Sequence, residues 1–205
     1  MFMDVQIFKK MLKGAYDGIG LSVARQRDKY IFAGNYWCMK VRRDCIPKKA
    51  KAAAIEIIGE FPEDGENFVI RKKEEKRSDE FNMRWAEKIS EFGKVDEKPL
   101  FRKTAILQQY GFSMYRFWQS EEKDIVLVPE IITGLIEGQI IKDRETELEG
   151  PYKIENWDYF KGMLYWRNNA GELYVETIGE YEKDTQENEV LQKMKEIVLP
   201  GPVPM

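Results

Sequence analysis

The residues with the clearest capacity for chemistry are basic side chains grouped on predicted helices. Lysine offers positive charge without the planar fork of arginine, so it suits contact with phosphate better than recognition of bases. Lysines opposite an apolar stripe are also typical of any solvated helix, and that simpler interpretation stays open. The candidate contacts to a nucleic-acid backbone are Lys9, Lys10 and Lys13, then Lys48, Lys49 and Lys51, and finally Arg84 and Lys88.

Acidic side chains suggest a second chemistry. Residues 121–124 and 180–184 combine carboxylates with a lysine, as a metal-dependent nuclease requires. A chain with 36 Asp and Glu produces such clusters by chance, however. The chain has no histidine, which excludes Ser-His-Asp and Cys-His nucleophiles and His-ligated metals. We therefore expect no catalytic residue, metal site or cofactor, and we predict that the protein is not an enzyme.

Glycine and aromatic motifs favour structural roles. The segment Gly18-Ile19-Gly20 lacks the third glycine of a dinucleotide site, so it is predicted to be a turn. Aromatic residues near the C-terminal part could stack on bases, but in strand-like segments they more often pack in a core. The aromatic residues assigned to the core are Trp37, Trp85, Trp118, Trp157, Tyr159, Phe160, Tyr165 and Trp166.

Charge is unevenly distributed along the 205 residues, although the net charge is only −3. Residues 1–118 hold 24 Lys+Arg and 17 Asp+Glu, a balance of +7, whereas residues 119–205 hold 9 and 19, a balance of −10. A basic region of this kind attracts phosphate while the whole chain stays acidic. The charge pattern favours a binding protein whose basic part meets an anionic partner.

Hydrophobic periodicity predicts helices that alternate with short strands. Apolar spacing of three and four residues predicts a first helix, and Pro47 is a suitable start for a second. Aromatic and β-branched residues from Tyr30 to Arg43 predict a hairpin or meander, and 100–118 predicts two strands broken near Gly111. The predicted helices span Met3–Tyr16, Lys48–Ile58, Phe81–Phe92, Glu130–Ile141 and Thr185–Ile197. The last of these is expected to face inward with Val190, Leu191, Met194 and Ile197.

One local pattern occurs twice. Cys45-Ile46-Pro47 and Leu127-Val128-Pro129 each precede a helix, 82 residues apart, and each helix is followed by an acidic turn and a strand. This predicts an α+β fold built as a tandem repeat of helix–antiparallel strands–helix–strand units, with an additional C-terminal hairpin and helix. The predicted domains are residues 1–75 and 76–205.

Targeting features are absent from the printed sequence. Met1-Phe2-Met3-Asp4-Val5 lacks the basic and apolar regions of a secretory signal, and the longest aliphatic run is only Ile125–Val128. We expect a cytoplasmic protein without membrane contact. In that compartment Cys38 and Cys45 are predicted to be reduced thiols.

The order of elements resembles the DNA sliding clamp fold of bacteria. The residues that carry the resemblance are Ile46-Pro47-Lys48-Lys49-Ala50-Lys51, continuing to Ile58, and Val128-Pro129-Glu130, continuing to Ile140. In that family helices line the inner face of a ring and meet the DNA backbone. The resemblance implies that Lys9, Lys10, Lys13, Lys48, Lys49 and Lys51 face DNA. The helix after Pro129 departs from this pattern, since residues 130–137 contain no basic residue.

These observations predict a non-enzymatic, clamp-like protein that contacts a nucleic-acid backbone or replication proteins without sequence specificity. Double-stranded DNA is the expected partner, self-association through sheet edges is open, and a mobile genetic element is a suitable origin. Two alternatives remain. One is a carboxylate- and metal-dependent nucleic-acid hydrolase, and the other is a protein–protein adaptor that uses the acidic region and the proline-rich residues 198–205.

Overall fold

The computed structural model describes residues 3–72, 101–137, 145–154, 162–178 and 186–202, and these form an α+β fold, as predicted. The helices in these ranges are α1 (Val5–Asp17), α2 (Lys48–Ile58), α3 (Glu130–Glu137) and α4 (Gln186–Lys195). The strands are β1 (Leu21–Gln26), β2 (Lys29–Ala33), β3 (Trp37–Arg42), β4 (Asn67–Ile70), β5 (Arg102–Tyr110), β6 (Ser113–Gln119), β7 (Ile125–Pro129), β8 (Glu149–Ile154), β9 (Met163–Asn168) and β10 (Gly171–Glu176).

The strands form two sheets. A seven-stranded sheet has the order β4-β1-β2-β3-β10-β9-β8, and a three-stranded sheet has the order β5-β6-β7. The pairs β1–β2, β2–β3 and β1–β4 are antiparallel, as are β5–β6 and β6–β7. The predicted meander is confirmed in β1 to β3, and the two strands predicted on either side of Gly111 are β5 and β6.

Close contacts divide the chain into two compact units, and both are discontinuous in sequence. The described residues of the first unit are 3–72, 135–137, 145–148 and 167–174. Those of the second unit are 101–134, 149–154, 162–166, 175–178 and 186–202. The predicted domains 1–75 and 76–205, by contrast, were continuous segments.

In the first unit, α1 packs on the face of β2 that carries Tyr30 and Phe32. The Phe8 ring meets the Phe32 ring edge-on, with centroids 5.4 Å apart. The segment that follows α2 returns to this face, because the Phe61 ring lies 4.4 Å from the Tyr30 ring. Aromatic burial of this kind contributes strongly to stability and fixes where α1 lies on the sheet.

In the second unit, the core forms where the three-stranded sheet meets the C-terminal segment. Trp118 and Trp166 pack edge-to-face with centroids 5.7 Å apart, and both are buried, which agrees with their predicted core role. The residues that share a second buried cluster are Phe117, Ile125, Leu127, Leu191 and Leu199. The proline-rich end is therefore attached to the core through Leu199, and its described residues, 198–202, form no helix or strand.

One predicted helix boundary differs from the structure for a local reason. α1 begins at Val5 rather than Met3, because the Asp4 side chain caps the helix by accepting from the backbone N–H groups of Gln6 and Ile7, both at 2.9 Å. The predicted helix Glu130–Ile141 is described only as far as Glu137. The predicted helix Phe81–Phe92 lies outside the described residues.

The inward face predicted for the last helix is partly wrong. Leu191 is buried and Met194 packs against the core cluster, but Val190 and Ile197 are exposed. Ile197 lies beyond the end of α4, so helical spacing no longer places it beside Met194. Val190 precedes Leu191 directly, and helical geometry turns it about 100° away from the direction of the buried Leu191 side chain.

The tandem repeat is not confirmed. The strand after α2 is β4, and it pairs with β1, the first strand of its own unit. A second copy of this arrangement would place β8 against β5. Instead β8 lies next to β9, and β5 to β7 form a separate sheet. The two Pro-initiated helices are followed by strands, as predicted, but those strands are paired differently.

Candidate nucleic-acid interface

The first basic face lies on α1, whose opposite side is buried. Spacing of three and four residues places Phe8, Met11, Leu12 and Ala15 on the side that packs against the sheet, and all four are buried. The lysines between them must then face outward, and Lys9, Lys10 and Lys13 are all exposed. The sequence prediction for this face of α1 agrees with their placement.

The second basic face lies at the start of α2. Ala50, Ala53, Ala54 and Ile58 are buried, and small alanine side chains let a helix approach its neighbour closely. Three lysines occupy the first turn and the residue after it. Lys48 and Lys49 are exposed and Lys51 is half-buried.

The two helices pack beside each other in the first unit. Lys9 Nζ of α1 lies 2.5 Å from a carboxylate oxygen of Glu56 on α2, and both side chains are more than half exposed. An exposed pair of this kind contributes roughly 0.2–1 kcal/mol, so the apolar contacts rather than this pair hold the helices together. The main consequence of this ion pair is for the charge of the surface, because Glu56 largely neutralises Lys9.

The remaining lysines of the two helices differ from Lys9, because no described acidic side chain forms an ion pair with them. Those without an ion-pair partner among the described residues are Lys10, Lys13, Lys48, Lys49 and Lys51. Five positive charges on two adjoining helices create a local positive potential. Exposed lysines on long stems can follow an irregular row of phosphates, which suits backbone contact without sequence specificity.

The start of α2 is unusual in its electrostatics. Its N-cap is Pro47, which makes no side-chain cap hydrogen bond, and its first turn contains no acidic residue. The N-terminal end of a helix carries a partial positive charge from its free N–H groups, so a lysine there is unfavourable and an anion is favourable. α2 therefore begins with a partial positive charge and three lysines close together.

Several other predicted candidates fall outside this arrangement. Arg84 and Lys88 lie outside the described residues, as do Trp85, Trp157, Tyr159 and Phe160. Tyr165 and Trp166 are buried, as is Trp37. Their faces are therefore unavailable for stacking on bases, and their predicted core role is confirmed.

The acidic clusters do not form a metal site in the part of the chain that the structure describes. No group of three or more Cys, Asp or Glu side chains there is close enough to hold a metal ion. In residues 121–124, Glu121 and Glu122 are exposed, and Asp124 lies 3.6 Å from Lys153. The second acidic cluster, residues 180–184, lies outside the described ranges.

A polar cluster that the sequence did not indicate lies on the seven-stranded sheet. Glu172 of β10 accepts hydrogen bonds from Lys29 of β2, at 3.0 Å, and from the Tyr174 hydroxyl, at 2.8 Å. Lys40 of β3 lies 3.4 Å from the same carboxylate. Burial opposes ionisation of Glu172, but Lys40 and the two hydrogen bonds outweigh it and lower the pKa of this carboxyl. These contacts neutralise the Glu172 carboxylate and connect β2, β3 and β10, so we assign the cluster a structural role.

Both cysteines are free thiols, as predicted. Cys38 is buried, and burial raises the pKa of its thiol far above the usual range, so it stays protonated and unreactive. Cys45 is half-buried, and burial together with Asp44 raises its pKa as well. Neither thiol has the lowered pKa of a nucleophile.

Comparison with protein-family models, with curated proteins and with solved structures finds no match to this chain. Within the described ranges, no helix combines the length and the apolar character needed to cross a membrane.

Proposed function

We propose that this protein binds the backbone of double-stranded nucleic acid without sequence specificity, through the adjoining helices α1 and α2. It acts as a clamp-like or scaffolding protein and not as an enzyme. The observation that carries the proposal is the pair of adjoining helices that presents five lysines without ion-pair partners among the described residues. Phosphates are the ligands that such a surface favours, because charge neutralisation releases counterions from nucleic acid.

The type of side chain supports contact to phosphate rather than to bases. Both faces consist of lysine, which lacks the bidentate geometry with which arginine recognises guanine. The aromatic side chains Tyr165 and Trp166 are buried, so these two cannot stack on unpaired bases. A duplex backbone fits these properties better than a single strand whose bases must be held.

The relation to the sliding clamp fold remains part of the proposal. It is supported by one feature of the first unit, an antiparallel meander with two helices packed beside each other. On this basis replication proteins are a second class of partner. The Pro-initiated helix α3 contributes no lysine in residues 130–137, so we assign the contact to α1 and α2.

The test is a salt-titrated binding experiment with two duplex DNAs of unrelated sequence. We expect equal affinity for both duplexes and a steep loss of affinity with increasing salt. Incubation with each duplex and Mg²⁺ or Mn²⁺ should leave the DNA intact. Absence of binding at low salt would refute the proposal, and cleavage of the duplex that depends on the metal would favour the hydrolase alternative.

A further inference from the structure

The β5–β6 hairpin of the second unit differs in composition from the rest of the chain. Twelve consecutive residues, 104–115, carry no charge, although charged residues make up 34% of the sequence. They include the outer part of β5, the turn at Gly111 and Phe112, and the first part of β6. Gly111 has a φ of +58°, a conformation that glycine accommodates at little cost, so the turn is sharp.

This hairpin also exposes large apolar side chains. Leu107 and Met114 expose 43% and 42% of their surface and Tyr110 exposes 56%, while Phe112 at the turn is fully exposed. The register places Leu107 and Met114 on one face of the hairpin and Tyr110 on the other, so apolar side chains are exposed on both faces. An uncharged edge strand with exposed apolar side chains is prone to pair with another strand.

The edge of β5 is occupied over its first half. Ala105 N donates to Pro200 O at 2.8 Å, and the Arg102 guanidinium donates to Leu199 O at 3.2 Å, so the C-terminal segment lies along this part of the strand. β5 is an edge strand of the three-stranded sheet. Beyond Ala105, no described residue forms a backbone hydrogen bond to this edge of β5.

The pairing register identifies which backbone groups point outward. Tyr110 pairs with Ser113 across a two-residue turn, and such a closing pair exchanges hydrogen bonds within the hairpin. The direction of the backbone N–H and C=O groups alternates from residue to residue along a strand. Leu107 and Gln109 therefore direct these groups away from β6. In the described part of the chain, these two residues have no backbone partner on that side.

The outward backbone groups and the absence of charge together restrict what can cover this edge. A lipid surface could accept the apolar side chains but could not satisfy the N–H and C=O groups. A nucleic acid would require positive charge, which residues 104–115 lack. A second copy of the same strand offers matching backbone groups and brings no like charges together.

We infer that β5 pairs antiparallel with β5 of a second copy of this chain, about a twofold axis at Gln108. In this register Leu107 and the second copy's Gln109 exchange backbone hydrogen bonds, and the symmetric pair does the same. Tyr110 lies opposite the second copy's Ile106, and Gln108 lies opposite the second copy's Gln108. Shifting the axis to Leu107 would require the N–H group of Ala105, which already donates to Pro200.

The test uses the whole chain and substitutions at Gln108, because the inferred register places this residue opposite Gln108 of the second copy. Residues directly opposite on antiparallel strands have Cβ atoms about 5 Å apart, so like charges there repel and opposite charges attract. Gln108→Lys and Gln108→Glu should each weaken the dimer, by up to about fivefold. An equimolar mixture of the two variants should recover the lost affinity as a heterodimer. The matched controls are Gln26→Lys and Gln26→Glu, at an exposed glutamine of β1, and they should not change self-association.

Sedimentation equilibrium at up to about 1 mM protein measures the dimer, because interfaces at the small end of the range give weak affinities. Tyr110→Ser is a second variant, at an exposed strand end, that should also weaken the dimer. A monomeric wild type would overturn the inference. So would a dimer that none of these variants weakens, or a mixture that shows no recovery. Binding of monomeric protein to neutral phosphatidylcholine vesicles, lost in Tyr110→Ser, would assign the hairpin to a lipid surface instead.

Discussion

Replacement of the three lysines of α2 by glutamine separates binding from stability. Lys48, Lys49 and Lys51 lie in the first turn of the helix or next to it, where the helix dipole disfavours positive charge. Glutamine keeps the length and a similar helix propensity but removes the charge. We expect the triple variant to lose affinity for duplex DNA while its free energy of unfolding stays equal or rises.

The magnitudes follow from the number of lysines without an ion-pair partner among the described residues. If each of the five neutralises one phosphate, the slope of log affinity against log salt is about −4.5 for the wild type and about −1.8 for the triple variant. Between about 50 and 200 mM salt, the wild type would then lose about 500-fold in affinity and the variant about tenfold. Removal of each lysine from the helix start should stabilise the protein by about 0.3–1 kcal/mol at low salt.

Fluorescence anisotropy of a labelled random duplex measures the slope, and urea unfolding measures the stability. Lys193→Gln, at an exposed lysine of α4, serves as the control for Lys49→Gln and should leave the salt slope unchanged. Because Lys193 lies in the last turn of its helix, its removal should slightly lower the free energy of unfolding, whereas removal of Lys49 should raise it. An unchanged salt slope in the triple variant would refute the assignment of the contact to α2. A loss of binding that accompanies unfolding would also contradict it, because the reasoning predicts a folded protein.

Three further predictions concern stability. Asp4→Ala should lower the free energy of unfolding by about 1 kcal/mol, because two capping hydrogen bonds at the start of α1 are lost. Chemical denaturation measures this difference, and an unchanged unfolding free energy would contradict the role of the cap. Gln119→Ala should lower the free energy of unfolding by about 1–3 kcal/mol, because the Gln119 side chain accepts a hydrogen bond from Leu199 N and donates one to Ile197 O. Equal stability of the variant and the wild type in urea would mean that Gln119 does not hold the C-terminal segment. The pKa of Glu172 is lower in the folded state than in the unfolded state. Its ionised carboxylate therefore stabilises the folded protein fully at pH values above the unfolded-state pKa of about 4.3, and this stabilisation is lost as the pH falls through the folded-state pKa. The difference in unfolding free energy between wild type and Glu172→Gln should therefore be constant from about pH 6 to 8 and shrink in acid; a difference that grows in acid would reverse the sign of the argument.

Local features of the fold could be predicted from the sequence because they depend on neighbouring residues. The bounds of α2, from Lys48 to Ile58, follow from a preceding proline and a following glycine whose φ is +80°. The turn at Gly111 and the strands on either side of it depend on the same short-range rules. The outward placement of the lysines on α1 follows from helical periodicity alone.

Long-range pairing could not be predicted in the same way. The position of β3, which ends at Arg42, beside β10, which begins at Gly171, depends on which partner strand is available in space, and no local pattern encodes that choice. The contact between Lys29 and Glu172 joins residues 143 positions apart, so spacing gave no signal for it. The uncharged residues 104–115 were visible in the sequence, but only the register of β5 and β6 shows which backbone groups they leave unpaired.

The two helix starts of the first unit help to decide between a solvated and a functional basic face. α1 begins with an aspartate that caps two N–H groups, the arrangement that stability favours. α2 begins with no side-chain cap and with three lysines instead. A merely solvated face could carry its lysines on any exposed turn, and toward the C-terminal end they would add stability rather than reduce it. An anion against the N-terminal end would offset this cost, and in the proposed complex the phosphate backbone of the nucleic acid is that anion.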